Sequence, residues 1–143
     1  MTDISIQIWI LLINSALVVI LASAAIYDGW KDRQAVKSRE IQNPAISEAA
    51  LMRVAKRHIR NGFLTFMMGN IAGSLATLYV WGAYREHIEA LELFRDWLPW
   101  ALNLILFLNL AMLIMDRYDR WLVLHPEREG FLKQWKKFLQ KRL

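Results

Sequence analysis

The sequence contains no cysteine. That rules out a disulfide framework, a thiolate nucleophile and a cysteine-ligated metal, and says little about compartment. A second absence is local. No Asp, Glu, Lys, Arg or His occurs in Ile4–Tyr27, Asn61–Tyr84 or Trp97–Met115, runs of 24, 24 and 19 residues in a chain of 143. Proton relays, ion pathways and transporter substrate sites usually need ionisable groups inside the membrane, which speaks against a proton-coupled carrier or a voltage sensor. Catalytic constellations are missing too. Ser15, Ser23 and Ser74 lie within the apolar runs with no base beside them, so enzyme chemistry is not expected. No internal repeat or low-complexity segment interrupts the pattern.

What the sequence does contain is three helices' worth of uncharged residues. Each run can cross a hydrocarbon core of ~30 Å. A soluble bundle would place polar residues every three or four positions along them. The expected fold class is therefore an all-α integral membrane protein with three transmembrane helices in a single membrane domain, residues 1–143. The spans cover about 5–27, 61–84 and 97–115, separated by a cytoplasmic loop at 28–60 and followed by a cytoplasmic amphipathic tail at 116–143. Ala22-Ser23-Ala24 resembles a signal-peptide cleavage site, but the N-terminal region has no positive charge and the apolar run is long. The first helix is expected to remain uncleaved.

The net charge of +5 is explained by where the charges sit, without invoking nucleic acid. Met1–Asp3 has no basic residue, and Arg85–Asp96 has two against four acids. Asp28–Arg60 and Asp116–Leu143 each have eight Lys/Arg against four acids. Basic residues stay on the cytoplasmic side, giving N-terminus out and C-terminus in. Aromatic residues mark the two boundaries: Trp9, Trp81, Trp97 and Trp100 outside, and Tyr27, Trp30, Tyr118 and Trp121 inside.

Two cytoplasmic segments are amphipathic. Asn43-Pro44 supplies a cap and a first-turn residue for a helix continuing to Arg60. Leu51, Met52, Val54, Ala55 and Ile59 form one face of it, with Arg53, Lys56, Arg57 and Arg60 opposite. This segment either lies on anionic headgroups or packs its apolar face on another helix, and a straight run into the membrane favours packing. In the tail, Trp135 and Phe138 share a face with Phe131, Leu132 and Leu139, while Lys133, Lys136, Lys137 and Lys141 lie opposite. That pattern is an interfacial helix on the anionic cytoplasmic leaflet. Membrane lipids, and other membrane subunits or further copies of the chain, are the expected partners.

In the second span Gly62, Thr65, Gly69, Ala72, Gly73 and Ala76 fall on one helical line, and Gly69-xxx-Gly73 has the spacing of close membrane helix pairs. This seam is expected to receive the first helix or another subunit. Asparagines occur in every span. By depth, Asn14 matches Asn103 and Asn70 matches Asn109, so two interhelical amide pairs are expected, with Asn70 turned toward the third helix. Asp96 is placed to cap the third helix, and Arg85 with Glu89 has the spacing of a helical ion pair. His58 and His87 fall on opposite sides of the membrane; only His58 and His125 share a side, and no other ligand accompanies them at metal spacing. No cofactor is expected. Asp116-Arg117-Tyr118-Asp119-Arg120 contains the Asp-Arg-Tyr signature of seven-helix receptors, an accidental match because three helices cannot make that fold.

These features point to a non-enzymatic structural or accessory subunit of a bacterial or phage-encoded inner-membrane assembly. Three spans with a basic cytoplasmic tail also resemble, in topology alone, one class of phage holins. The single helix, loop and helical hairpin resemble in layout the stator proteins of proton-driven motors. A pore former or a small channel-like subunit is thus the alternative.

Overall fold

The computed structural model describes residues 6–85, 97–126 and 130–142. Among the described residues the helices are α1 (Ile6–Lys37), α2 (Glu48–Arg85), α3 (Leu98–Leu124) and α4 (Phe131–Arg142), and no strand occurs. The first three are long and apolar enough to cross a membrane. They pack as an up-down-up bundle: α1 and α3 run parallel, with α2 antiparallel between them in sequence.

Helix ends follow local chemistry. α1 continues well past the end of the uncharged run at Tyr27, to Lys37, and the chain then turns through Arg39 at a positive φ of 54°. Asn43-Pro44 does not begin the next helix. Instead Asn43 Oδ1 accepts the Ala45 amide at 3.0 Å, a turn closed on the backbone side by Ile46. The cap falls to Ser47, whose hydroxyl accepts the Ala50 amide at 3.2 Å. From there α2 runs without a break into its apolar span. α3 starts after Trp97 with Pro99 in its first turn, where a missing N–H costs little. Asp96 and the Arg85–Glu89 pairing lie outside the described residues, as does His87. α3 ends at Leu124, with His125 as its C-cap immediately before Pro126.

Buried positions recur at a 3.5-residue period. On α1 they are Ile8, Leu11, Ser15, Val18, Ala22, Ala25, Gly29 and Asp32. On α2 the line runs Leu51, Ala55, His58, Gly62, Thr65, Gly69, Ala72 and Ala76. On α3 it includes Leu102, Leu106, Leu113 and Asp116. This is the heptad repeat of left-handed helix packing.

The bundle is built small inside and large outside. Many of its buried side chains are Ala, Ser, Thr or Gly, whereas Ile13, Phe107, Ile114 and Met115 are all more than 60% exposed. A water-soluble bundle would reverse that arrangement. In lipid it is favourable: large side chains lose nothing by facing acyl chains, and small ones let the backbones approach.

Candidate functional site

Two features concentrate the polar chemistry: a ladder of polar contacts along the spans and a charged cluster where α1 ends, α2 begins and α3 ends. The small residues of α2 decide how closely α1 can sit. A Cβ placed on Gly62 would lie 2.9 Å from Ile26 Cγ1 and 3.2 Å from the Ala22 carbonyl. At Gly69 it would meet Val19 Cγ2 at 2.9 Å, and at Gly73 Ser15 Cβ at 3.2 Å. α1 reciprocates with Gly29, where a Cβ would stand 2.9 Å from the Ala55 carbonyl. The seam is thus occupied within one chain, by α1. Thr65, Ala72 and Ala76 are buried on the same line, Ala72 and Ala76 in a core with Ile8, Leu11, Val18, Leu102 and Leu106.

Along this frame Asn14 Nδ2 donates to Asn103 Oδ1 at 3.0 Å, and Asn103 Nδ2 reaches the Gln7 carbonyl at 3.3 Å. The expected Asn70–Asn109 pair does not form. Asn109 instead accepts from Thr65 Oγ1 at 3.3 Å, and its own Nδ2 returns to the Ile105 carbonyl at 2.8 Å. Asn70 is exposed and donates to the Phe66 carbonyl on its own helix at 2.8 Å. The reason is rotational. Matching depth brought Asn70 and Asn109 to similar levels, but α3 docks on the line carrying Thr65, and Asn70 lies on a different face. Asn70 faces an open groove between α1 and α2 of about 640 Å³, lined also by Ser15, Gly69, Gly73, Ser74 and Thr77.

At the charged end four carboxylates face three guanidinium groups. Arg120 grips Asp32 with both forks, Nε to Oδ2 at 2.6 Å and Nη2 to Oδ1 at 3.1 Å. Arg57 reaches Asp119 and stands 2.9 Å from Asp116 Oδ1, at ion-pair distance although not aligned as a hydrogen bond. Asn61 Nδ2 donates to the other Asp116 oxygen at 2.6 Å. Arg117 lies 3.7 Å from Asp28, a looser and more exposed pair. Asp32, Asp116, His58 and Asn61 are all buried. The cluster thereby ties all three helices at one level.

His58 sits among these groups with Nδ1 unpartnered. It lies three residues before the uncharged span begins. Burial pushes its imidazole below the ordinary histidine value; Asp116 opposes this, Arg120 adds to it, and Asp28 and Asp32 oppose it. The bidentate hydrogen bond to Asp32 raises Arg120, further securing its charge. His125 is engaged elsewhere, stacked on Trp121 with ring centroids 4.9 Å apart. Among the described residues no group of three His, Cys, Asp or Glu could hold a metal ion.

Taking Asp116-Arg117-Tyr118-Asp119-Arg120 only as an accidental receptor-like match misses the charge cluster. A signal was nevertheless present. Asp32 continues the buried α1 line Ala22-Ala25-Gly29, and Asp116 continues the α3 line through Leu106 and Leu113. A carboxylate in phase with a core line calls for a cation on the facing helix.

α4 stands apart from this network. Its described side chains, Lys133, Trp135, Lys136, Lys137, Phe138 and Lys141 among them, are exposed. Trp135 and Phe138 stack at 5.9 Å, and Arg142, out of phase with the lysines in the sequence, lies over the Phe138 ring at 4.8 Å.

No protein-family model, curated protein sequence or solved structure matches this chain.

Proposed function

We propose that this protein is a small non-enzymatic subunit of a membrane assembly, either homo-oligomeric or larger, in a bacterial or phage-encoded inner-membrane setting. Its N-terminus faces outward and both basic segments face the cytoplasm, a reading supported by the distribution of Lys and Arg. The observation carrying this reading is the open groove beside Asn70. With α1 filling the glycine seam, the lipid-facing side of α1 and α2 still presents Asn70, Ser74 and Thr77 at mid-span. Asn70 and Thr77 satisfy one donor each on their own backbone, leaving acceptor oxygens toward hydrocarbon. A neighbouring helix offering donors or small residues gains there about 0.6–2 kcal/mol per hydrogen bond and close backbone packing. α4 adds a second attachment, its exposed aromatic face and lysines suited to the anionic cytoplasmic leaflet.

The test is the mass and composition of the particle after gentle detergent extraction. An oligomer or a co-purifying partner is expected, and replacing Asn70 and Thr77 by leucine and valine is expected to weaken it. A wild-type monomer with no partner at concentrations matching the membrane refutes the reading. The same polar face favours one alternative: in a ring of copies it would line a lumen, giving a holin-like pore or a small stator-like channel subunit. Dye leakage from cells or vesicles on expression distinguishes this case, since an accessory subunit leaves membranes tight.

A further inference from the structure

The cations of the charged end divide into two sets. Arg57, Arg117 and Arg120 are spent on carboxylates. Arg53, Lys56 and Arg60 are exposed, and no described residue forms an ion pair with them. They lie on one face of α2 within about 60° of each other, spread over about 10 Å of helix axis. With Arg57 they enclose a surface recess of about 300 Å³. A second recess, of about 360 Å³, adjoins it between α2 and α3 and adds Val54, Leu122, Val123 and Asp119, whose carboxylate is paired with Arg57, to Arg53 and Arg57. Past Arg60 the same side of α2 becomes apolar at once, with Phe63, Leu64 and Met67 each about half exposed. Cations followed immediately by an exposed apolar stripe match one kind of molecule end to end.

We propose that Arg53, Lys56 and Arg60 form a binding site for the phosphate headgroup of an anionic phospholipid, whose acyl chains lie along Phe63, Leu64 and Met67. The site rests on the reading that the three helices cross a bilayer. Three cations at the headgroup level repel one another and have no ion-pair partner among the described residues, and a lipid phosphate supplies a counter-charge without displacing any ion pair described above. Water and free phosphate match the cations but leave the apolar stripe unused. That stripe is the reason for assigning a lipid. The site differs from the α4 surface: its cations enclose a recess on α2 that adjoins a second one between α2 and α3, whereas the described α4 side chains are exposed.

The test is native mass spectrometry of the purified protein in mild detergent, titrated with phosphatidylglycerol, phosphatidylcholine or inorganic phosphate. Phosphatidylglycerol is expected to be retained about tenfold or more over phosphatidylcholine, and the variant R53Q/K56Q/R60Q is expected to lose that preference. The variant K136Q/K137Q on α4 is expected to keep it. Equal retention of the two lipids, an unchanged preference in the triple variant, or its loss in the α4 variant would each overturn the site. Displacement of the lipid by millimolar inorganic phosphate would also overturn it, by showing a free-anion site. Resistance of the wild-type protein to alkaline extraction from membranes is measured in parallel. Release by alkali removes the membrane reading itself, whereas resistance without a lipid preference removes only this site.

Discussion

Replacing the glycines of the α1–α2 contact one at a time by alanine probes how closely the helices depend on one another. The added group is a single methyl in every case, so differences arise from what it meets. At Gly29 it meets the Ala55 carbonyl at 2.9 Å and Ile59 Cγ1 at 2.8 Å, and at Gly62 the Ala22 carbonyl at 3.2 Å and Ile26 Cγ1 at 2.9 Å. A backbone carbonyl yields only if the whole helix moves. Gly69 places the methyl against a Val19 side-chain carbon, with the nearest backbone atom at 3.4 Å, and Gly73 against Ser15 Cβ at 3.2 Å. Overpacking costs about 1–3 kcal/mol, and exchanging glycine for alanine in a helix returns up to about 1 kcal/mol. Gly29→Ala and Gly62→Ala are therefore expected to destabilise the bundle by roughly 1–2 kcal/mol, Gly69→Ala by less, and Gly73→Ala to fall within about 0.5 kcal/mol of wild type. Reversible unfolding in mixed micelles, followed by tryptophan fluorescence, measures the series. Equal effects at all four positions, or the largest at Gly73, would refute close α1–α2 packing as the device holding the bundle.

A double-mutant cycle on Asn14→Leu and Asn103→Leu should give a coupling of about 0.6–2 kcal/mol, while Asn70→Leu with Asn109→Leu should be additive; the same unfolding assay reads both. Asp116→Ala should cost roughly 2–3 kcal/mol, since it leaves buried Asn61 without its acceptor and removes one of the two carboxylates beside half-buried Arg57, and Asp116→Asn should recover part of it. An effect below about 0.5 kcal/mol for Asp116→Ala would show the cluster to be incidental. His58 gives a pH dependence of defined sign. Its folded-state value lies below the ordinary 6.5, so as pH falls through that window the unfolded chain binds a proton that the folded chain refuses, and stability drops. The midpoint of thermal unfolding should fall on mild acidification in wild type and fall less in His58→Gln; a stability rising toward acid would contradict a buried neutral imidazole.

The depth of every polar residue along its helix was legible in the sequence, because rise per residue is fixed and the uncharged runs have sharp edges. Depth was enough to pair Asn14 with Asn103. It failed for Asn70, whose amide needed the rotation of α2 about its axis, and that rotation is set only when two neighbours compete for one face. Thr65 and Asn61, on the shared line, received the contacts to α3 instead. The glycine seam shows the same limit. Its existence was plain from the spacing of Gly62, Gly69 and Gly73, but a small-residue face accepts any close helix, and only packing assigned it to α1.

By itself the sequence determined the number of long apolar helices, since charge is costly in hydrocarbon and its absence over three runs leaves few other folds. It also determined which faces are small and which are large. The tertiary structure decided the pairing: which helix fills the glycine seam, which amides meet, and which carboxylate each arginine takes. Those outcomes depend on mutual rotation and register among three helices at once. A one-dimensional pattern constrains each helix alone, whereas the network of Asp32, Arg57, Asp116 and Arg120 arises only when all three meet at one level.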